Sequence, residues 1–400
     1  MKKIAILGLG KMGKAILNQL IEIANEINRS FEIFVYDINQ EKENELVEKF
    51  ENLHFIRSYG ADVFEALNKI RPDLIINSST FTNNLYYTQI AIEVNSNYVD
   101  LGQSTWTTLK QKTFDKIAKE KKIRIVPETG LAPGTINIIG SEFIENGFEN
   151  VYLYTGGLPL NKNLGGILKY AATWSIEGLI QEYTDTVVYI QNNNLQFKNG
   201  LLDEVESDIK VKFKSLEIYQ KIKDFQDIEE KDGYFYVSDL EAISTSDGIS
   251  LMPFNYKCSN LEYRTIRYKG HYDVIKTLYN LGFFDEYKYI SSRSLKNITI
   301  EILENILPKT QEDIVFIKVI AKSGNEMREF NGIVLYDEKF TAMQKMTGYS
   351  SVISSFGVIE ELDILRNDNY GVILPYVIFE PKKYMFYLSK FVKFSDFNYD

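Results

Sequence analysis

Gly8-Leu9-Gly10-Lys11-Met12-Gly13 follows the compact apolar run Lys3-Ile4-Ala5-Ile6-Leu7. It opens a stretch, residues 12–23, whose apolar residues return at helical spacing. A glycine triplet alone carries little information; between a strand and a helix it is the fingerprint of a βαβ unit that holds a dinucleotide. Gly8 permits the tight turn, Gly10 lets the backbone approach a pyrophosphate, and Gly13 lets the helix lie close on the strand. The helix start, with Lys11 and Met12, offers N–H groups and a positive dipole end to the phosphates. The competing reading is an ordinary strand–helix turn that happens to contain glycine. The flanking context weighs against it.

Outward from this turn, apolar runs at residues 32–36, 53–56, 74–77, 98–101 and 123–126 alternate with helical patterns, notably 85–94 and 109–120. That alternation predicts a doubly wound parallel sheet, a Rossmann domain. Asp37 closes the second strand, where an acid bonds the adenosine ribose hydroxyls and repels a 2′-phosphate. Ile38, Asn39 and Gln40 bring no arginine, so NAD is expected over NADP. The alternative for Asp37 is a turn or helix-capping aspartate. The fourth strand ends in Asn77, Ser78 and Ser79, small polar residues expected to line the ribose and nicotinamide.

After Glu128 the pattern changes to longer, aromatic-rich strands at 187–190, 209–213, 234–237, 261–268, 314–319 and 327–336. The charged run 224–232 reads as a surface loop and 341–356 as a helix. The expected fold class is α/β plus α+β: an N-terminal Rossmann doubly wound parallel sheet with an inserted, mostly antiparallel substrate domain. The domains are an NAD-binding domain at 1–132, a substrate and dimerisation domain at 133–336, and a C-terminal segment at 337–400 that returns to the Rossmann domain. The net charge is −10 with no long basic run, which argues against nucleic acid or an anionic membrane as partner. No stretch approaches the ~20 apolar residues of a membrane helix. The single cysteine, Cys258, excludes an intramolecular disulfide and suits a cytoplasmic location. With two histidines, His54 and His271, no metal site is expected. A symmetric homodimer is expected.

Several segments resemble the saccharopine dehydrogenase superfamily, and within it the lysine 6-dehydrogenases. They are Tyr98-Val99-Asp100-Leu101-Gly102, Glu128-Thr129-Gly130-Leu131-Ala132-Pro133-Gly134-Thr135-Ile136-Asn137, Gly156-Gly157-Leu158-Pro159, and Thr173-Trp174-Ser175-Ile176-Glu177-Gly178-Leu179-Ile180-Gln181-Glu182-Tyr183. Glu262-Tyr263-Arg264-Thr265-Ile266-Arg267-Tyr268-Lys269-Gly270-His271 and Phe340-Thr341-Ala342-Met343 follow in the family's order. The resemblance implies an amine or amino-acid substrate oxidised with NAD at a carbon bearing nitrogen. Ala132 and Ala171 stand where enzymes of saccharopine itself carry an acid and a lysine, and count against that substrate. Gly165-Gly166-Ile167 and Leu374-Pro375-Tyr376 also depart from the lysine 6-dehydrogenase pattern.

A primary amine with a pKa near ~10.4 arrives protonated, so the site needs a base or desolvation. Three residues are candidates. His271 suits a proton relay or a structural bond within its turn. Glu128 ends a strand and suits a base or a helix-initiating carboxylate. Asp100 has the same geometry and equally suits tying down the following loop. Arg267 is the candidate for a substrate carboxylate, with a surface ion pair as alternative. Trp174 is a pocket wall or core aromatic, as is Tyr183. Asn137 orders the Pro133-Gly134 turn or touches the nicotinamide amide. The cofactor is expected beside residues 77–81, 100–103 and 128–130, with 174–183 and 267–271 presenting the substrate. Two rival functions remain: reductive condensation of an amine with an aldehyde or keto acid, and a non-catalytic NAD-binding sensor.

Overall fold

The computed structural model describes residues 1–39, 52–57, 61–102 and 104–394; Gln40 and Gln103 lie outside them. The chain divides into two compact units. The first comprises residues 1–139 and 344–391; the second comprises 140–343 and the stretch beginning at Val392.

In the first unit, six strands lie parallel: Lys2–Leu7 (β1), Phe31–Asp37 (β2), Leu53–Arg57 (β3), Leu74–Asn77 (β4), Asn97–Asp100 (β5) and Arg124–Val126 (β6). Their order is β6-β5-β4-β1-β2-β3. Ile4, Ala5 and Ile6 of β1 are all fully buried. A parallel strand covered on both faces reads as a continuous apolar run, not an alternating one. The helix Lys11–Glu26 buries Ile16, Leu20 and Ile23 along one stripe. The single helix expected over 109–120 is two, Thr105–Lys112 and Asp115–Lys121. Ser104 caps the first by accepting the Thr107 N–H, and the chain re-enters helix after Phe114. A two-residue break preserves apolar spacing, so periodicity does not reveal it.

The second unit is built on one sheet of Asn150–Pro159 (β7), Thr186–Gln191 (β8), Asn194–Asn199 (β9), Glu206–Phe213 (β10), Ile228–Lys231 (β11), Tyr234–Ser244 (β12), Asn260–Tyr268 (β13), Asp313–Ser323 (β16) and Glu326–Leu335 (β17). Tyr289–Ile290 (β14) and Arg293–Ser294 (β15) form a separate hairpin. The main order is β10-β12-β13-β7-β16-β17. The β13–β7 pair is parallel and the other pairs are antiparallel, so the sheet is mixed.

Two readings need correction. β7 is a central strand that the glycine pair Gly156-Gly157 disguised. A Cβ on Gly156 would lie 2.5 Å from Ile266 O, and one on Gly157 2.2 Å from Met343 Cε, so glycine marks close approach here. The charged run 224–232 contains β11, whose side chains are mostly exposed. Wet on both faces, it lacks the apolar alternation that betrays a strand.

Along β13 alternate side chains point to opposite faces. One face packs Ile266 and Tyr268 with Leu158, Val211, Phe213 and Phe316. Over the other, Tyr170, Leu179, Ile180, Tyr183, Tyr272 and Ile275 form a second core. In the first unit Gly371–Val372 (β18) extends the Rossmann sheet in parallel beside β6. Among the described residues no helix is long and apolar enough to cross a membrane.

Candidate dinucleotide and substrate sites

The glycine turn leaves β1 at Gly8, which takes φ 90° and donates its N–H to Tyr36 O at 2.8 Å. A Cβ on Gly13 would sit 2.0 Å from Gly8 O, so this glycine is required for the helix to reach the strand. Gly10 is different: extended at the helix start, it has nothing within 4 Å of its Cβ position. The helix has no side-chain cap hydrogen bond and no acid in its first turn. Its leading N–H groups and the open space beside Gly10 therefore fit a dinucleotide pyrophosphate. Lys11 is exposed and Met12 half-buried at this end.

Asp37 Oδ2 accepts the Leu9 N–H at 2.6 Å, and Oδ1 accepts the Asn39 N–H at 2.8 Å. It thus holds the glycine turn, the alternative reading. A carboxylate offers about four acceptor sites, so holding the turn is compatible with meeting ribose hydroxyls. Asn77 and Ser78 are committed to the scaffold. Asn77 Nδ2 donates to Asn84 Oδ1 at 2.9 Å, and its Oδ1 accepts from Ser79 N and Oγ at 3.1 and 2.6 Å. Ser78 Oγ donates to Gly8 O at 2.8 Å. Both are buried and brace the strand ends.

Asp100 is fully buried. Its Oδ1 accepts the N–H groups of Gly102 and Glu128 at 2.8 and 3.1 Å, and its Oδ2 accepts Gln111 Nε2 at 2.8 Å. Burial holds the carboxyl above its ordinary value, and these donors offset that only in part. Bonded on both oxygens, Asp100 ties two loops together; its expected part as base gives way to that role. Glu128 is 1% exposed in the left-handed region, φ 67°. A conformation of this kind costs a non-glycine residue of order 1–3 kcal/mol and persists where the surroundings enforce it. A Cβ on Gly102 would lie 3.0 Å from Glu128 Cγ and 2.7 Å from Pro133 Cγ, so these side chains pass over a glycine that makes room for them. Asn137 Oδ1 accepts the Gly134 N–H at 2.8 Å, and its buried Nδ2 has no hydrogen-bond partner among the described residues.

In the second unit, Arg267 is 2% exposed on β13. Its Nε donates to Tyr183 Oη at 2.8 Å, its Nη1 to Ile266 O at 3.0 Å, and its Nη2 lies 3.7 Å from Glu182 Oε2. The guanidinium stands 5.4 Å from the centre of the Tyr170 ring. His271 Nδ1 lies 2.8 Å from Leu168 O, which can only accept, so Nδ1 carries the hydrogen. Nε2 then accepts from Tyr183 Oη at 2.9 Å. Burial and then the Arg267 charge push the imidazole down to about 3. A neutral ring bonded at both nitrogens is no proton relay near neutral pH; that expectation gives way to orienting Tyr183.

The hydroxyls of Tyr170 and Thr173 are buried, and the Tyr170 hydroxyl interacts with the side chains of Thr173 and Trp174. Trp174 is half-buried against the same core. Tyr170, Thr173, Glu182 and Thr265 were not singled out in the sequence. The Thr265 hydroxyl donates to Glu182 Oε1. The available signal was the alternation Tyr263, Thr265, Arg267, which puts polar groups on one face of a buried strand.

A glycine turn at the carboxyl end of parallel strands in this order defines a dinucleotide-binding Rossmann protein. Residues 4–126 match the saccharopine dehydrogenase NADP binding domain, and residues 130–395 the saccharopine dehydrogenase C-terminal domain. The chain belongs to the saccharopine dehydrogenase family. It is 22% identical over 202 residues to the mitochondrial alpha-aminoadipic semialdehyde synthase of Bos taurus, a match spanning 48% of this chain and 21% of that protein. Its fold matches apo saccharopine dehydrogenase (L-Glu forming) from Saccharomyces cerevisiae with a TM-score of 0.70 at 13% identity, over 98% of this chain and 99% of that one. Homospermidine synthase from Legionella pneumophila, solved with NAD, matches with a TM-score of 0.59 at 11% identity, over 98% of this chain and 90% of that one.

Proposed function

We propose that this chain is an NAD-linked oxidoreductase acting on the C–N bond of an amino acid, removing the terminal amine of lysine or a close analogue. The observation that carries this reading is Arg267: a buried guanidinium whose ion pair with Glu182 is long, at 3.7 Å. A substrate carboxylate would add the closer, planar, two-bonded contact that guanidinium favours. Tyr183, held by His271, fixes that guanidinium from the other side. Trp174 walls the substrate's carbon chain. Glu128 takes the proton that the substrate ammonium must lose before its nitrogen can assist hydride departure. The unpartnered Nδ2 of Asn137 suits the cofactor's carboxamide oxygen. Bound on the Gly8–Gly13 turn, NAD would accept the hydride, and water added to the resulting imine would release ammonia and leave an aldehyde.

The second reading, reductive joining of an amine to an aldehyde or keto acid, is favoured by the fold match to homospermidine synthase. A panel of amines and amino acids followed by NADH absorbance in both directions tests both. NADH formation with ammonia release from lysine or an analogue is expected. Turnover confined to amine–carbonyl pairs plus NADH would shift the assignment to the second reading. Absence of turnover across the panel would overturn both.

A further inference from the structure

The opposite face of the second unit's sheet carries chemistry that the proposed reaction does not use. Glu262 and Arg264 alternate along β13 with Tyr263, Thr265 and Arg267, so they point away from the Arg267 cluster. There they join a ladder of charges. Lys198 Nζ lies 2.5 Å from both Asp203 Oδ2 and Glu262 Oε1. Arg264 Nη2 lies 3.2 Å from Glu262 Oε2, and Nη1 3.3 Å from Glu206 Oε2. The Tyr154 hydroxyl donates to Glu206 Oε2 at 3.1 Å.

In front of this ladder opens a cavity of about 480 Å³ with Tyr152, Tyr154, Val205 and Ile320 in its walls. Glu204 and Lys322 share the same lining. Both are exposed, and neither side chain makes a hydrogen bond or ion pair with the described residues. The volume falls within the roughly 300–1,000 Å³ of small-molecule sites. Each charge of the ladder has an opposite partner, three carboxylates against two cations, and the ladder supplies a fixed floor. What remains is one anion, one cation and an aromatic and aliphatic wall. That set complements a zwitterion: an ammonium on Glu204, a carboxylate on Lys322, and a carbon side chain on the tyrosine rings.

We propose that this cavity is a second small-molecule site that binds a free amino acid, on the face of the sheet opposite the Arg267 cluster. It stands independently of the reaction proposed above. Isothermal titration of the full chain with L-leucine, L-glutamate and L-lysine, and with singly charged hexylamine and hexanoate, tests it. At least one amino acid should bind more tightly than both singly charged analogues. E204Q and K322M, both at exposed positions, should each weaken that binding about tenfold or more. R267K should leave it intact, which separates this site from the proposed substrate site. No binding by any amino acid, equal binding of the singly charged analogues, or affinity unchanged in E204Q and K322M overturns the proposal.

Discussion

The glycine turn of the first unit and the arginine cluster of the second solve opposite problems. The turn is made of what is missing: no Cβ at Gly8, Gly10 or Gly13, and no side-chain cap on the helix that follows. Its chemistry comes from backbone N–H groups, which every sequence has, so only the glycines need specifying. The cluster is made of long side chains: Arg267, Tyr183, His271 and Glu182, each placed by the others. The difference teaches where tolerance lies. The turn fails when an atom is added, and the cluster fails when one is removed.

The sharpest break of this comparison lies within the turn itself. Gly13→Ala puts a Cβ about 2.0 Å from a backbone carbonyl, and should destabilise the protein by at least about 3 kcal/mol in urea unfolding. The Cβ of Gly10→Val meets nothing within 4 Å, so this variant should unfold within about 1 kcal/mol of wild type. Its side chain fills the space beside the helix start instead, so dinucleotide affinity should fall about 100-fold or more. Unchanged NAD affinity in a folded Gly10→Val protein contradicts the assignment of that space.

In the cluster the corresponding change is a deletion. Arg267→Ala leaves Tyr183 and Glu182 without their cation and should cost roughly 3 kcal/mol of stability, the scale for breaking a buried pair. Arg267→Lys keeps the charge and loses the planar fork. It should raise KM for an amino-acid substrate about tenfold, with a smaller effect on an amine that lacks the carboxylate. Equal losses on both substrates would remove the carboxylate from the proposal.

The two regions also differed in how much the sequence disclosed. The turn was legible because three spaced glycines between a strand and a helix have one geometric use. Asp37 was legible by position, though not the fact that its oxygens hold the Leu9 and Asn39 amides. In the second unit the strands with a buried face, β8, β10, β12, β13, β16 and β17, were legible, whereas the mostly exposed β9 and β11 were not. β7 was not, because Gly156-Gly157 looks like a turn until the neighbours pressing on it are known. Arg267 and Tyr183 were named, but their hydrogen bond joins residues 84 positions apart, and the one that ties Tyr183 to His271 spans 88. No local pattern encodes such a contact. Asp100 and His271 each read equally well as a chemical or a structural group. Their burial and their hydrogen bonds favour the structural role, and neither feature can be read from a one-dimensional string.

His271 makes that point measurable. Its folded pKa, about 3, lies below the ordinary value of 6.5, so the native state rejects a proton that the unfolded chain accepts. The stability this neutral ring contributes is full above pH 6.5. It should be lost as pH falls from 6.5 toward 3, at about 1.4 kcal/mol per pH unit from this group. His271→Asn should be less stable than wild type at pH 7, having lost the Tyr183 contact, yet show a flatter decline between pH 6.5 and 4. Parallel declines in the two proteins would mean that the ring is accessible to protons and not locked as described.

Asp37 gives the smallest expected effect and the finest test of the first region, because it joins scaffold and specificity in one carboxylate. Asp37→Ala removes the acceptor for Leu9 and Asn39, which should cost about 1–3 kcal/mol. It also removes the negative charge that a 2′-phosphate would meet. Wild type should therefore prefer NAD, and Asp37→Ala should weaken NAD while lessening the discrimination against NADP by about tenfold. The two consequences separate in Asp37→Asn, which keeps one accepting oxygen and loses the charge. Its stability should fall less than that of Asp37→Ala, while its gain toward NADP should be similar. If wild type already prefers NADP, the charge is not the selecting feature, and Asp37 serves the turn alone. If Asp37→Asn keeps full discrimination, then shape at the end of β2 selects the cofactor and the electrostatic argument fails.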